Sequence, residues 1–422
     1  MSMHSSPPAR WARLMAAAGR PERRIVGLMS GTSLDGLDIA LCRIAGHGPA
    51  TRVTVEQWLT TPYTPAQREY LRGVVSVDTV SLAALTRLHG WLGELHGRMV
   101  LAALDGWGVR PETVDAVASH GQTVFHAPAA QVAAPAPQGG APAAPDAGGE
   151  PASRHATLQI GDGDRLAVVT GLATFSDFRQ KEIAGGGQGA PLAPYVDALL
   201  FGGVPQARVL LNLGGIANIT WLPGSASHAA PVAGDTGPAN TLIDWAVRRH
   251  FPQAQGFDPE GRLAAEGRVH AGLLTALAAH PFFAQPLPKS TGPELFSPAL
   301  VERALFDAGA AGLSGHDLVA TLTRLTVDTV AQAIRRVVGD TAALELLVSG
   351  GGLHNRTLRE GLEQALPGIR WRELAALGIP PDAKEAVLFA VLANEALAGA
   401  GFAVPFGSGG RPLGFGKLSL PD

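Results

Sequence analysis

The pattern of apolar and polar positions predicts two strands joined by a glycine-containing turn near the start of the chain. Residues 24–40 read RIVGLMSGTSLDGLDIA. One apolar run, from Ile25 to Met29, enters a polar turn, and a second, from Leu37 to Leu41, leaves it. Two such runs around a short glycine-containing turn predict a β-hairpin whose tip exposes backbone N–H groups.

The composition of this turn suits a phosphate group. Its small residues would let phosphate oxygens approach the backbone amides, and the hydroxyls of Thr32 and Ser33 add two donors. Asp35 or Asp38 could hold a magnesium ion directly or through water. An ordinary Asp-Gly hairpin turn is the alternative for this segment taken alone.

Two later glycine turns favour the phosphate interpretation. Residues 208–221, RVLLNLGGIANITW, repeat the layout of strand, turn and strand around Gly214 and Gly215, which predicts an internal duplication. Residues 346–355, LLVSGGGLHN, have an apolar strand before the glycines and a helical pattern after them. None of the three turns carries the Gly-Lys-Ser/Thr of a Walker loop or the spacing of a dinucleotide fingerprint.

The order of the elements predicts an α/β protein. Apolar residues recur at helical spacing over 82–104 and 321–338, and the sequence of hairpin, helices and strand occurs twice. A chain of 422 residues, 46% of them apolar, is too long for one ordinary core. We therefore expect two similar α/β domains around a central cleft.

Changes in composition predict the domain limits. Residues 1–23 hold four arginines and one short apolar patch, which predicts a disordered tail. The first domain is expected over 24–205 and the second over 206–422, with the option that the final helices pack back on the first. Residues 128–154 contain no aromatic residue and no Leu or Ile, so this segment is expected to be a mobile insertion in the first domain.

Charge and cysteine content exclude several partners. A formal net charge of −3 and a pI near 6.5 argue against binding to nucleic acid or to an anionic membrane. No stretch reaches the roughly 18 continuous apolar residues that a spanning helix needs. Cys42 is the only cysteine and lies in an apolar strand, so we expect a buried hydrophobic residue and not a nucleophile. These features fit a cytoplasmic protein that acts on a small molecule.

One acidic residue has the surroundings expected of a general base. Residues 174–191, TFSDFRQKEIAGGGQGAP, carry Asp177 from a strand towards a charged cluster and a glycine-rich segment. Arg179 and Lys181 are its neighbours in sequence and would keep its carboxylate ionised, ready to accept a proton. A solvated ion pair in a loop is the alternative.

Two more segments offer polar groups at strand ends. SHGQT, at 119–123, supplies His120 and Gln122, which suit hydrogen bonds to sugar hydroxyls or an amide, although a strand-end turn would also explain them. GDTGPAN, at 234–240, supplies Asp235 ahead of a helix expected to begin near Thr241, where it could contact magnesium or an anion. A simple helix cap is the alternative for Asp235.

Taken together, these segments resemble the anhydro-N-acetylmuramic acid kinase family, within the wider superfamily of acetate and sugar kinases, heat-shock chaperone ATPases and actin. The resemblance extends from Ile25 to about Gly399. Two departures from the family pattern are the alanine-proline insertion and Gly163-Asp164, where a proline-containing turn is usual. The matching motifs are MSGTSLDGLDIAL, SHGQTVFH, LQIGD, DFRQKEIAGGGQGAPL, LNLGGIANIT, GDTGPAN, KSTGPELF, VSGGGLHN and DAKEAVLFAVLA.

The resemblance implies two duplicated actin-like, ribonuclease H-like domains and a defined reaction. In that reaction ATP, with Mg2+, phosphorylates O6 of 1,6-anhydro-N-acetylmuramic acid while water opens the anhydro bridge at C1. The products are N-acetylmuramic acid 6-phosphate and ADP, in peptidoglycan recycling. The resemblance also implies a homodimer.

The same resemblance assigns roles to residues. Asp177 is expected to deprotonate water, and Glu385, in the DAKEA motif, is expected near the sugar. The polar segments described above add His120, Gln122 and Arg179 as the expected substrate contacts, and Asp35 and Asp235 as the expected metal contacts. The residues expected to hold the nucleotide phosphates are Gly31, Thr32, Ser33, Leu34, Asp35, Gly36, Leu37, Asp38, Gly214, Gly215, Gly350, Gly351 and Gly352.

Two other functions are compatible with part of this pattern. A kinase for another 1,6-anhydro sugar, such as levoglucosan, would share the ATP-binding apparatus and the water-dependent ring opening. A non-catalytic, nucleotide-dependent clamp would close on ATP without releasing ADP in response to sugar. The clamp leaves the charged DFRQKE segment unexplained.

Overall fold

The computed structural model describes residues 9–31, 34–75, 77, 79–127, 155–292, 295–339, 344–399, 401–403 and 412–421. The chain forms two compact units: unit 1 contains Met1–Val196 and Asp382–Asp422, and unit 2 contains Asp197–Pro381. Unit 2 therefore starts before the boundary expected at 205/206, and the chain returns to unit 1 at Asp382.

The described chain contains strands and helices of both units in alternation. The strands are β1 Glu22–Ser30, β2 Gly36–Ala45, β3 Arg52–Pro62, β4 Ala116–Ala127, β5 Ala156–Ile160, β6 Thr174–Ser176, β7 Arg208–Leu213, β8 Ile216–Leu222, β9 Val232–Pro238, β10 Glu345–Ser349, β11 Arg370–Glu373, β12 Phe402–Ala403, β13 Pro412–Leu413 and β14 Lys417–Ser419. The helices are α1 Ala9–Ala18, α2 Pro65–Arg72, α3 Leu82–Gly106, α4 Gly163–Thr170, α5 Phe178–Ala184, α6 Ala193–Phe201, α7 Asn240–His250, α8 Arg262–Ala265, α9 Ala271–Ala278, α10 Pro298–Asp307, α11 Gly315–Val338, α12 Arg356–Ala365 and α13 Lys384–Ala398.

The two units contain sheets of the same topology. In unit 1 the order is β3-β2-β1-β4-β6, with β14 beyond β6 and β5 paired to β4. In unit 2 it is β9-β8-β7-β10-β11. In both sheets the first three strands of the unit are antiparallel, and the next two join in parallel. This order is that of the ribonuclease H-like fold, so the predicted α/β class and internal duplication are confirmed.

One long helix packs in the core of each unit. In unit 1, α3 begins after Ser81, whose hydroxyl accepts the amide of Ala84, and it buries Leu88 and Leu92. In unit 2, α11 begins six residues before the predicted start, because the hydroxyl of Ser314 caps it. No helix in the described part of the chain is long and apolar enough to cross a bilayer.

The N-terminal segment is more ordered than the sequence predicts. Residues 9–18 form α1, in which Leu14 and Ala17 are buried. The guanidinium of Arg13 donates to the backbone carbonyl of Val114 at 2.8 Å, and β1 already starts at Glu22. The prediction of disorder is therefore wrong for residues 9–23, because the short apolar patch is the packing face of a helix. Residues 1–8 and the predicted insertion 128–154 lie outside the described residues.

Helix α13 lies directly on strand β1. A Cβ atom at Gly27 would clash with the backbone carbonyl of Ala386, so only glycine permits this approach. At the far end of α13, Asn394 accepts the Nε–H of the buried Arg23 at 2.6 Å. These contacts fix the helix that carries Glu385 onto the central strand of unit 1.

Candidate active site

The β1–β2 turn of unit 1 is held in an unusual backbone conformation. Leu34 is buried and has a φ of 59°, a left-handed conformation that is costly for a residue with a side chain. Its amide donates to the carbonyl of Gly31 at 3.2 Å, and the carbonyl of Asp35 accepts the amide of Tyr63 at 3.1 Å. Thr32 and Ser33, expected as phosphate donors, lie outside the described residues.

A buried side-chain amide supports this turn from below. Ser30 Oγ donates to Gln122 Oε1 at 2.6 Å, and Gln122 Nε2 donates to the carbonyl of Gly31 at 3.3 Å. Gln122 has no exposed surface. It is therefore placed to support the turn, and the expectation that it contacts a sugar does not fit its position.

A tyrosine and a histidine that the sequence reasoning did not assign continue this network. Tyr63 Oη lies 2.9 Å from Ser30 Oγ and 2.7 Å from His96 Nε2. His96 is fully buried, and within the described chain its Nδ1 has no hydrogen-bond partner. Burial lowers the pKa of His96 to about 3, so the ring is neutral. Tyr63 lies in no recognisable motif, and no sequence signal could have joined it to Ser30.

His120 is fixed in one tautomer by its neighbours. Its Nε2 lies 2.9 Å from Arg179 Nε, and its Nδ1 lies 2.9 Å from the carbonyl of Gly121. Because a guanidinium can only donate, Nε2 is the acceptor and Nδ1 carries the proton. Burial, and then the charge of Arg179, lower the pKa of His120 well below its ordinary value.

The glycine-rich segment 185–189 is wrapped around a buried carboxylate. Glu182 accepts hydrogen bonds from the amide of Gly189 and from Tyr195 Oη, and a Cβ at Gly187 would clash with the carboxylate. Arg179 Nη1 donates to the carbonyl of Gly189 at 2.9 Å. Glu182 was not singled out from the sequence, although it lies in the DFRQKE motif.

Asp177 has a strained backbone, and its carboxylate forms an ion pair with a residue far away in the sequence. Its φ of 55° places it in the left-handed region between β6 and α5. Its carboxylate is ion-paired with Lys417 Nζ. The prediction that Arg179 and Lys181 hold this carboxylate is wrong. The left-handed turn sends Arg179 towards His120, and the pairing of β14 with β6 sets Lys417 opposite Ser176.

Acidic side chains of unit 1 influence one another. Asp38 Oδ1 accepts the Thr60 hydroxyl at 2.6 Å. Burial raises the pKa of Asp38; the Thr60 hydrogen bond opposes this, and the charges of Asp382 and Asp35 add to the rise. Asp382 stands in the DAKEA motif but was given no role from the sequence.

Glu385 lies at the start of α13. Its side chain reaches solvent, although neighbouring protein atoms partly desolvate the carboxyl group. Desolvation raises the pKa of its carboxyl, the positive charge of Arg179 lowers it, and the charge of Asp38 raises it again. The charges of Glu385 and Arg179 each favour the ionised form of the other, since Glu385 opposes the fall in the pKa of Arg179 that burial causes. Asp38, Arg179 and Glu385 all belong to unit 1.

The acidic groups beside the turn fit a magnesium ion. Among the described residues, no three His, Cys, Asp or Glu side chains gather into a complete metal cage. Magnesium, however, is usually held by one or two carboxylates together with substrate phosphates and water. Asp38 and Asp35 are suited to this, because a cation would favour the ionised form of the Asp38 carboxyl, whose pKa is raised mainly by desolvation and to a smaller extent by the charges of Asp382 and Asp35.

Asp235 lies ahead of a helix, as predicted. It belongs to strand β9 of unit 2, and α7 begins at Asn240, one residue before the predicted start. Its Oδ2 accepts the amide of Thr291 at 2.7 Å. The segment up to Pro238 is extended and pairs with β8, and a contact of Asp235 with magnesium or an anion stays a prediction.

Two of the predicted glycine turns meet inside unit 2. The side chain of Asn240 donates to the carbonyls of Leu213 and Gly214, both at 2.9 Å, which ties the start of α7 to the β7–β8 turn. Gly350 has a φ of 86°, and a Cβ there would clash with the carbonyl of Leu213. Gly350 and Gly352 therefore pack against the end of β7 more closely than a residue with a side chain could.

Each unit has a ribonuclease H-like sheet with a tight turn after its first strand. This duplication is the fold of the actin-like ATPase class. Sequence comparison gives the particular family. The anhydro-N-acetylmuramic acid kinase family matches residues 23–141 and 149–415. The chain belongs to this family, as its motifs indicated.

Individual relatives agree with this assignment over almost their whole length. The anhydro-N-acetylmuramic acid kinase of Pseudoalteromonas atlantica is 43% identical over 97% of this chain and 98% of its own. That of Salinibacter ruber is 42% identical over 97% of this chain and 99% of its own. Among solved structures, component A of (R)-2-hydroxyglutaryl-CoA dehydratase from Acidaminococcus fermentans is similar over 89% of this chain and 99% of its own, with a TM-score of 0.42 and 9% identity. This similarity is too remote to bear on the function.

Proposed function

We propose that this protein is an ATP-dependent kinase that hydrolyses the 1,6-anhydro bond of 1,6-anhydro-N-acetylmuramic acid and phosphorylates its O6. The family match over nearly the whole chain supports the reaction. The observation that carries the catalytic assignment is the strained Asp177, whose carboxylate is anchored by Lys417 in the same unit as the β1–β2 turn. Backbone strain of this kind is typical of functional sites.

Water is the first nucleophile in the proposed reaction. Asp177 accepts a proton as the water oxygen bonds to C1, and the C1–O6 bond breaks with its electron pair going to O6. O6 then bonds to the γ-phosphorus of ATP, the bond from that phosphorus to the β–γ bridging oxygen breaks, and ADP leaves. The products are N-acetylmuramic acid 6-phosphate and ADP, and Asp177 returns its proton to solvent.

The glycine turns would hold the nucleotide phosphates. In unit 1 the described part of the turn is fixed by hydrogen bonds of Leu34, Tyr63 and Gln122, which supports the proposal that the turn holds an anion. Asp38 and Asp35 would hold magnesium, which when bound neutralises charge on the phosphates. In unit 2 the turns at 214–215 and 350–352 are the proposed counterparts.

Arg179, His120 and Glu385 are the proposed sugar-side groups. Arg179 fixes the ring of His120, which stays neutral and presents a defined hydrogen-bonding pattern. Glu385 is solvent-accessible and lies near enough to Arg179 for their charges to interact. Gln122 is proposed as a support of the phosphate turn and not as a sugar contact.

The cellular setting rests on the family and on the charge and cysteine content of the chain. We place the protein in peptidoglycan recycling, in the cytoplasm and as a homodimer, with no nucleic acid or membrane partner. Size-exclusion chromatography with light scattering measures the oligomeric state directly. A monomer at micromolar concentration would contradict the proposed dimer without affecting the proposed reaction.

Product analysis tests the proposed reaction. The purified protein is incubated with Mg-ATP and 1,6-anhydro-N-acetylmuramic acid, and in parallel with levoglucosan. The proposal expects a product heavier than the amino sugar by one phosphoryl group and one water, with one ADP per product. Efficient turnover of levoglucosan alone would move the assignment to another anhydro sugar kinase. ATP binding without sugar-dependent ADP release would favour the clamp.

A further inference from the structure

Unit 2 contains a cavity that the proposed reaction does not use. It has a volume of about 360 Å³ and is lined by the end of β8, the start of β9, the segment 285–289 and helix α11. Trp221 on β8 pairs with Val232 on β9. Strand β8 begins beside the Gly214–Gly215 turn, and Trp221 lies five residues further on, roughly 17 Å along the strand. The cavity is thus at the opposite end of β8 from the proposed nucleotide turn.

Two cations line this cavity. Lys289 Nζ donates to the carbonyl of Phe282 at 2.7 Å, and Arg336 Nη1 donates to the carbonyl of Phe283 at 2.7 Å. Neither cation forms an ion pair with a carboxylate in the described part of the chain. An ammonium has three donors and a guanidinium five, so both keep donors for a ligand while backbone carbonyls hold them in place.

The charge of this pair is poorly compensated. Desolvation and, to a smaller extent, the charge of Arg336 lower the pKa of Lys289 to about 8, although the charge of Asp235 opposes them. Two like charges held near each other without a paired carboxylate favour the arrival of an anion.

The rest of the lining is mainly apolar, with Gln285 as a further polar side chain, and it contains one unsatisfied donor. Val232, Leu287 and Val337 supply aliphatic surface. The indole Nε1 of Trp221 is buried and has no hydrogen-bond partner among the described residues. A buried donor without a partner is uncommon, and a ligand acceptor would satisfy it.

We propose that this cavity is a binding site for a small organic anion, a carboxylate or a phosphate monoester attached to an apolar group. The anion contacts Lys289 and Arg336, and the apolar group packs against Trp221 and the aliphatic wall. A pocket of a few hundred Å³ with mainly apolar walls and a few convergent polar groups is typical of small-molecule sites. An inorganic anion lacks the apolar group and binds more weakly.

Calorimetric titration of the full chain with benzoate, phenyl phosphate, inorganic phosphate and benzyl alcohol tests the proposal. We expect benzoate or phenyl phosphate to bind with a millimolar or lower Kd, and the aromatic anion that binds more tightly identifies the preferred head group. Arg336→Gln is expected to weaken that anion about tenfold, as for loss of a charge-assisted hydrogen bond. Arg336→Lys recovers part of the loss, and Trp221→Phe weakens binding while keeping an aromatic ring.

The control is Arg356→Gln, which removes an exposed arginine paired with Glu360 outside the cavity. It leaves the Kd unchanged. An aromatic anion bound at the glycine turns would have the same Kd for Arg336→Gln as for the parent. If Arg336→Gln unfolds at the same temperature as the parent and its Kd is unaltered, the proposal is overturned. Equal affinity for benzyl alcohol, or no binding of either aromatic anion, overturns it as well.

Discussion

Lys417 is ion-paired with Asp177, although 240 residues separate them in the sequence. The contact arises because β14 adds to the edge of the unit 1 sheet beside β6. The proposed base therefore depends on the last strand of the chain, which returns to unit 1 after all of unit 2.

Replacing Lys417 by methionine is expected to lower kcat. The lysine is largely exposed, so the loss of its charged contact is expected to cost only about two- to tenfold in kcat. Lys417→Arg keeps the charge and is expected to retain most of the activity. If the aliphatic stem of Lys417 served only for packing, Lys417→Met would keep the activity of the parent. Steady-state kinetics on both variants distinguishes these cases.

Lys181→Met is the matched control for this experiment. Lys181 is an exposed sequence neighbour that was expected to hold Asp177 and forms no such ion pair in the described chain. Its kcat is expected to equal that of the parent. A larger loss in Lys181→Met than in Lys417→Met would contradict the assigned partner.

Glu385→Gln is expected to raise the stability of the protein and to lower its activity. Desolvation raises the pKa of Glu385 in the folded state above its unfolded value of 4.5. The folded state therefore holds its proton to higher pH, and the free energy of unfolding falls as pH rises from 4.5 through the folded pKa. The glutamine variant has no carboxyl group to ionise, so its stability does not fall in this way. Its unfolding temperature is expected to exceed that of the parent at pH 8, and by a smaller margin at pH 4.5.

The same variant is expected to lose activity by about 10²-fold or more if Glu385 acts on the sugar. Glu373→Gln, at the exposed end of β11, serves as the control for both measurements. Thermal unfolding at the two pH values and kcat at pH 8 give the answer. A Glu385→Gln protein that is fully active and no more stable would refute both roles.

Acid is expected to destabilise unit 1 through His96. Its folded pKa is about 3, below the unfolded value of 6.5, so the stabilisation is complete above pH 6.5 and is lost as pH falls towards 3. One such histidine contributes about 1.4 kcal/mol per pH unit in that window. His96→Phe should therefore show a shallower fall in unfolding free energy between pH 6.5 and 5 than the parent.

Denaturant unfolding at several pH values measures this slope. His47→Asn alters an exposed histidine and is expected to leave the slope unchanged. Identical slopes for His96→Phe and the parent would mean that His96 is protonated in the folded protein, which would contradict its burial beside Tyr63.

Gly27→Ala is expected to disturb the helix that carries Glu385. The added methyl group meets the carbonyl of Ala386, so α13 must move away from β1, at a cost of about 1–3 kcal/mol. Gly106→Ala, where a Cβ meets no atom within 4 Å, is the control. Chemical unfolding and kcat are measured on both, and equal behaviour of the two variants would show that α13 is not tightly seated.

Local sequence patterns predicted the elements well. The hairpins around 31–36 and 214–215, helices α3 and α11, and the duplication all follow from apolar spacing and glycine turns. The N-terminal helix was missed because its apolar patch is short, and only its burial against the rest of unit 1 stabilises it.

Long-range contacts at the site were not predictable from the same patterns. Lys417 reaches Asp177, and His96 reaches Tyr63, only because the sheet and α3 bring distant segments together. The sequence placed Gln122 at a strand end as a sugar contact, but it could not tell that the amide faces Ser30 and is buried. Side-chain direction at a strand end depends on the neighbouring strands.

Asp177→Asn gives the most direct test of the account, measured as kcat with Mg-ATP and 1,6-anhydro-N-acetylmuramic acid together with the calorimetric Kd for ADP. The substitution keeps the size of the side chain and removes its capacity to accept a proton from water. We predict a fall in kcat of about 10²–10⁴-fold, typical of a lost general base, with the Kd for ADP within about twofold of the parent. Turnover close to the parent value would contradict the role of Asp177 and, with it, the proposed mechanism.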